Sequence, residues 1–251
     1  MKKTYFLFYG IVLVHNWCSA QNLPSIQTDR PDQTECPFIV PVHFVQSENG
    51  FSIRENKNNS SEITTPTVLT RLGISANFEM RLITEFVLNK NNFEDKLGLH
   101  PVLIGFKTKL FEEKGILPST AFIGHIEFPK TGSMVYQTTY YAPEFRFSMQ
   151  HTISDRQSLG YNIGAEWNGE TPEPTFIYTL TTGYSFTETI GGYIELYGFV
   201  PQIDRPNHQY AAGLTYLFNP HHQLDFSGGF GLSKMASKYY IAVGYSFRFK
   251  I

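Results

Sequence analysis

The sequence predicts an all-β fold: a closed antiparallel transmembrane β-barrel of about 12 strands behind an extended N-terminal segment. Three observations predict it. From about Val42 almost to the C-terminus, side chains alternate between apolar and polar, which is the period of a strand and not of a helix. No stretch after Gln21 approaches the roughly 18 uninterrupted apolar residues of a membrane helix, so any membrane crossing falls to strands. Charge is also scarce while aromatics are abundant, 17% against 16% of 251 residues. Soluble domains carry roughly 25% charged residues to cover their surface.

The N-terminus reads as an export signal over residues 1–20. Lys2 and Lys3 form a basic head, Tyr5 to Val14 an apolar stretch too short to span a bilayer, and Cys18, Ser19 and Ala20 a cleavage site before Gln21. A lipid anchor on Cys18 fits less well, because the bulky Trp17 precedes it. Cleavage leaves 18 basic against 22 acidic residues, a formal charge of −4. The net charge of −2 on the whole chain argues against a nucleic-acid partner. With Cys36 as its one remaining cysteine the mature chain has no disulfide framework, and 22 Phe and 15 Tyr exclude disorder.

Residues 21–41 are punctuated by Pro24, Pro31, Pro37 and Pro41 and read as extended chain. The segment either lies in the periplasm or folds into the lumen as a plug, and the sequence favours neither. Residues 42–251 form the barrel. Alternation places strands near 42–54, 66–76, 80–89, 99–111, 119–129, 139–150, 157–168, 174–186, 189–200, 208–218, 223–232 and 239–250. The last is clearest: Ile241, Val243, Tyr245, Phe247, Phe249 and Ile251 share one face, and Ala242, Gly244, Ser246, Arg248 and Lys250 the other. Connections alternate in length. The six odd-numbered ones total 47 residues and the five even-numbered ones 22, as outer-membrane barrels with long outside loops and short periplasmic turns require. The long set includes Glu55 to Thr65, Lys90 to Gly98 and Lys130 to Thr138. The competing reading is a soluble sandwich or ligand barrel, with the apolar face inward. It fits less well, because the polar faces carry Gly, Ser, Thr, Ala and isolated charges, a composition suited to a confined interior.

Strand parity sends Glu48, Glu85, Glu127, Glu144, Glu166, Glu195 and Asp225 into the lumen, with Arg71, Arg81, Lys107, Lys109, Arg146, Arg248 and Lys250. Seven acids facing seven bases suit cross-strand ion pairs as well as a water-filled path, and predict no strong ion selectivity. Tyr140, Tyr193 and Tyr197 also point inward by parity, an amphipathic lining for a partly apolar solute. In the N-terminal segment Asp29, Arg30, Asp32 and Glu35 are placed to pair with lumen charges. His125 and Glu127 share the lumen face without a serine obviously placed for activation, so they read as a structural pair and not as catalytic groups. His221 and His222 are adjacent in a turn and point to different sides, a poor metal site. No phosphate loop, nucleotide fingerprint or zinc spacing appears, so no cofactor is expected.

The block Thr28, Asp29, Arg30, Pro31, Asp32, Gln33, Thr34, Glu35, together with Gln46, Glu48 and Gly50, Pro101, Gly105 and Lys107, Gly213 to Tyr216 and the closing Gly244 to Phe249 run, resembles a family of bacterial outer-membrane transporters. That family is named after a protein encoded with a phenol meta-cleavage pathway (MetA type). The resemblance spans nearly all of the mature chain and implies an outer-membrane barrel that passes small, aromatic or otherwise hydrophobic, molecules, with no catalytic residues. Cys36, in place of a small Ser or Ala, and the Lys250–Ile251 end depart from the pattern. The expected partners are outer-membrane lipid, a small-molecule solute and, through the C-terminal strand, the barrel-assembly machinery. The leading functional expectation is a passive channel. The alternative is a closed barrel with a structural, adhesion or binding role carried by its extracellular loops, and an enzyme at the barrel rim is the remote third.

Overall fold

The computed structural model describes residues 23–91 and 94–251; the export signal expected over 1–20 lies outside them. The strands are β1 (Phe44–Glu55), β2 (Ser61–Ser75), β3 (Phe78–Lys90), β4 (Lys96–Leu99), β5 (Leu103–Phe111), β6 (Ser119–Glu127), β7 (Ala142–Ser154), β8 (Gln157–Glu166), β9 (Thr175–Ser185), β10 (Ile190–Pro201), β11 (Asn207–Asn219), β12 (His222–Gly231) and β13 (Tyr239–Lys250). All pairings are antiparallel. β1 closes the ring by pairing with both β13 and β2, so that Gly50 faces Gly244 on one side and Thr67 on the other. Closure satisfies the backbone N–H and C=O groups that an open edge would leave unpaired in hydrocarbon.

β4 and β5 both pair with β3 and form one interrupted stave, which makes the barrel twelve-stranded. The expected single strand 99–111 is broken because Pro101 has no N–H to donate, and the His100 N–H turns to the Glu85 carbonyl at 2.8 Å. Proline also accounts for the second difference. The strand expected from residue 66 begins at Ser61, with Pro66 inside a bulge between Thr64 and Thr67, where the ladder needs no donor. The loop expected over Glu55 to Thr65 therefore shrinks to residues 56–60. The stretches Lys90 to Gly98 and Lys130 to Thr138, expected as free loops, touch one another. A 3-10 turn at Met134–Tyr136 lies against β4, Ser133 Oγ accepts the Leu99 N–H at 2.9 Å, and the Tyr136 hydroxyl donates to the Lys96 carbonyl at 2.8 Å.

The wall is inside out relative to a soluble protein. Arg71, Lys107, Glu48, Glu79, Glu195 and Gln46 are among its most deeply buried side chains, while Phe51, Leu180, Ile194, Phe226 and Ile241 stand exposed on the outer surface. Exposed apolar rows of this extent, wrapping a charged interior, fit only a surrounding of lipid. The connections 76–77, 155–156 and 220–221 are two-residue turns at one end of the barrel, and both the start of β1 and the end of β13 lie at that same end.

The segment before β1 runs inside the barrel. Its polar groups meet β1, β2, β3, β5, β7, β8, β10 and β12, and only a chain within the lumen reaches that many staves. It enters and leaves by the short-turn end. The Ile26 N–H donates to Pro220 in the β11–β12 turn at 2.9 Å, and the Phe44 N–H to the Pro41 carbonyl at 3.1 Å. Arg30 reaches the middle of the wall, where Gly50 and Gly244 make room for it: a Cβ on either would fall on its guanidinium.

Candidate functional site

Parity on β1, β2, β3 and β5 aims long polar side chains at the axis, and the N-terminal segment presents Asp29 to them. The buried Asp29 carboxylate lies 2.7 Å from Lys107 Nζ, 2.8 Å from Arg81 Nη1 and 3.3 Å from Arg71 Nη1. Glu79 accepts from Arg71 Nε at 2.7 Å and Nη2 at 3.0 Å. Glu48 accepts from Arg71 at 2.9 Å and from the N–H groups of Asp29 and Arg30 at 2.9 and 3.1 Å. Glu35 reaches Arg81 at 2.8 Å. Four acids thus surround three cations. Isolated buried charges are strongly disfavoured, and here each carboxylate lies within ion-pair distance of a cation, although Arg81 Nε and Glu35 Oε2 make no hydrogen bond.

The same groups bind backbone as well as side chain. Lys107 donates to the Cys36 carbonyl, and Arg71 to the Phe38 carbonyl, both at 2.8 Å; the Val40 N–H donates to Glu79 at 2.8 Å. Asp29 closes the loop on itself by accepting from the Cys36 N–H at 3.0 Å and its Sγ–H at 3.2 Å. The Cys36 thiol therefore faces Asp29 inside the lumen.

The opposite flank holds the segment differently. Glu195 on β10 accepts the N–H groups of Gln33 and Thr34 at 3.0 and 2.7 Å, and Thr34 Oγ1 donates at 2.7 Å. Asn162 on β8 exchanges two hydrogen bonds with the Glu35 backbone at 2.7 and 3.0 Å, and Ser148 on β7 donates to the Glu35 carbonyl. Arg146 donates to the Gln33 carbonyl at 3.2 Å. On β12, Asp225 pairs with Arg30 at 3.0 Å. Below the tip, on the β7–β11 side, lies a cavity of about 360 Å³ lined by Asp32, Gln150, Thr152, Ser158, Tyr193 and Thr215 among others.

The remaining residues singled out from the sequence lie elsewhere. Toward the long-loop end, Glu144 takes Arg146 at 2.7 Å and stands 3.7 Å from His125 Nδ1, so His125 faces Glu144 and not Glu127. Glu166 is opposite Glu144 in the β7–β8 register. Glu127 accepts from Thr138 at 3.3 Å, and Glu85 from Thr67 at 3.0 Å. Tyr197 is buried and donates to Gln209 at 3.1 Å. At the short-turn end Lys109 bonds Glu112 at 2.7 Å, and Arg248 donates to the Pro24 and Pro220 carbonyls. Lys250 is exposed at the strand end. Tyr140 is not in the lumen. It precedes β7, its N–H bonds the Gly169 carbonyl, and it is exposed, because the strand begins three residues later than expected.

Glu79 was missed. The expected strand began at residue 80, yet the parity of Arg81 and Glu85 carried back two positions reaches it. His221 and His222 diverge, to Arg248 at 3.2 Å and to the Tyr245 hydroxyl at 2.6 Å.

An apolar exterior, a closed ring of strands and a charged lumen containing its own N-terminal segment define an outer-membrane β-barrel. The family model described as "Putative MetA-pathway of phenol degradation" matches residues 28–249, and the chain belongs to that family. Among solved structures, an outer membrane channel from Pseudomonas putida F1 is similar over 88% of this chain and 99% of its own, at a TM-score of 0.68 and 11% identity. The KdgM porin in complex with disordered oligogalacturonate covers 82% of this chain and 99% of its own at 0.56 and 10% identity. The NanC porin covers 81% and 98% at 0.54 and 9%. At these identities the likeness is one of fold. No curated protein sequence matches the chain.

Proposed function

We propose that the protein is a passive outer-membrane channel for small solutes, narrowed on its periplasmic side by its own N-terminal segment. One observation carries the reading: the segment is fixed against β1–β5 while a polar cavity of about 360 Å³ stays open on the β7–β11 side. Barrels of eight strands fill with side chains and those of sixteen leave a wide water channel, so a twelve-stranded barrel with a folded-in segment suits a narrow path. The two-residue turns assign the short-turn end to the periplasm. The lumen groups act as lining and anchors and carry no reaction. The family's tie to phenol breakdown and the structural likeness to channels and porins support a small-solute cargo; among the described residues no feature of the loops favours the adhesion role. β13, with its Tyr245, Phe247 and Phe249 face, is the strand that meets the assembly machinery.

The test is solute flux into liposomes carrying folded residues 21–251. Entry of a small neutral solute faster than into empty liposomes supports the channel, and equal rates refute it.

A further inference from the structure

The apolar outer surface of the wall is not smooth. Over β2, β1, β13 and β12 it sinks into a groove of about 520 Å³, lined by Phe51, Ile53, Ile63, Thr65, Phe226 and Ile241 among others. The groove lies where the ladder between β1 and β2 slips, with Gly50 opposite Thr67 and Ser52 opposite Thr64. A bulge of this kind bends its strand and increases the local twist, and Thr65 adds only a small side chain to the lining. The head of the groove is at the long-loop end: Ile53 is two residues from the end of β1, Ile63 two residues into β2, and Tyr239 opens β13.

Cations gather at that head. Lys238 precedes Tyr239, and its N–H donates to the Glu55 carbonyl at 2.7 Å. Lys57 Nζ donates to the Ser233 carbonyl at 2.6 Å, and Ser233 Oγ to the Pro206 carbonyl at 2.9 Å. These bonds join the connections 56–60, 202–206 and 232–238 into one platform, which carries Lys57, Arg205, Lys234 and Lys238 against Asp204. All four cations are exposed, and among the described residues none forms an ion pair. The connections over β3–β9 have the opposite balance, Lys130 against Glu94, Asp95, Glu170 and Glu173. Strand ends narrow the contrast without reversing it, with Glu55 on the first side and Lys90 and Lys96 on the second. A second outer groove of about 520 Å³, lined by Tyr184, Phe186, Ile194 and Leu214 among others, opens near the short-turn end, where the turns carry Asp155, Arg156 and Glu188 and no surplus of cations.

An apolar groove within the hydrocarbon, headed by unpaired ammonium groups above it, matches an amphiphile with acyl chains below and phosphate at the top. Each Lys or Arg beside an anionic lipid surface strengthens binding by roughly fivefold. We propose that this face holds a phosphorylated, multiply acylated glycolipid of the outer leaflet, with an acyl chain in the groove and its phosphates on Lys57, Lys234 and Lys238. The site faces away from the lumen, so it stands whether or not the barrel conducts.

The test titrates folded residues 21–251 in detergent with bisphosphorylated lipid A and counts bound lipid by native mass spectrometry, with heat-modifiable mobility confirming that each variant is folded. One lipid per barrel is expected. Its Kd should rise about a hundredfold in the triple variant Lys57→Gln, Lys234→Gln, Lys238→Gln, at roughly fivefold for each lysine, and stay put in Lys130→Gln on the opposite rim. Lipid A stripped of its phosphates should bind the unaltered barrel as weakly as lipid A binds the triple variant. Thr65→Phe, which fills the groove with a side chain that lipid tolerates, should weaken both lipids. Equal affinity for lipid A in the unaltered and triple-variant barrels, or for lipid A with and without its phosphates, overturns the proposal. So does displacement of the lipid by inorganic pyrophosphate after Thr65→Phe has left its affinity unchanged, which would mean that phosphate is bound without the groove.

Discussion

Asp29 and Lys107, separated by 78 positions in the chain, meet at 2.7 Å in the centre of the lumen. Through this contact the N-terminal segment becomes part of the barrel interior. Other anchors on the β1–β5 side converge on it: Arg71 and Arg81 share the same carboxylate, and Lys107 extends the bond to the Cys36 carbonyl.

Asp29→Asn removes the charge on which three cations converge. Docking of the segment is expected to weaken by about 3–5 kcal/mol, the cost of breaking a buried pair from one side. Limited proteolysis within residues 23–43 of a barrel that still shows heat-modifiable mobility reports it. The double variant Asp29→Asn with Lys107→Met is expected to cost less than the sum of the single changes. Strict additivity would mean that the two residues act independently.

Gly50→Val tests the close approach of Arg30. A side chain at Gly50 collides with the guanidinium, so Arg30 is expected to leave Asp225 and the segment to become protease-sensitive. Arg30→Ala is expected to have the same effect, and adding Gly50→Val to it should change little. A large further loss in the double variant would show that Gly50 serves the sheet and not Arg30.

Neighbouring positions on β10 face opposite surroundings. Ile194 is exposed on the outer face and Glu195 is buried inside. Ile194→Arg should destabilise the barrel in lipid vesicles by about 2–4 kcal/mol, the cost of a cation near the bilayer midplane. Urea unfolding measures it. An unchanged midpoint would place Ile194 in water.

Glu113, in the connection between β5 and β6, accepts the Thr152 N–H at 2.8 Å and its hydroxyl at 2.7 Å. These bonds hold its carboxyl below the ordinary 4.5. A lowered value means that the contact favours the ionised form, so it is complete above the ordinary value and lost as pH falls through the lowered one. Hydrogen exchange at the Thr152 amide is expected to quicken across that acid window in the wild type. Glu113→Gln should make it fast and flat with pH. Equal protection in both proteins would contradict the bond.

Much of this fold is legible because a strand's two faces are written in alternate residues. Ile241 to Phe249 against Ala242 to Arg248 gives the lipid and lumen sides of β13 directly, and its expected bounds agree with the observed ones. Breaks in the pattern are less legible. Pro66 reads as a strand start but occupies a bulge, and Pro101 splits a stave that periodicity runs through. Parity names Glu48, Arg71, Arg81, Lys107, Glu195 and Asp225 but not their pairings, because these depend on which staves face each other across the lumen. The Asp29, Arg30, Asp32 and Glu35 group was visible as a charged cluster. Its place inside the barrel was not, since extended chain carries no periodicity to show what it packs against.

The most direct test of a channel narrowed by its own N-terminal segment is single-channel current in a planar bilayer, from residues 21–251 and from the same protein carrying Asp29→Asn. Small discrete steps in the first and larger steps in the second are the expected result. Two folded, silent barrels, or steps of one size in both, would contradict it.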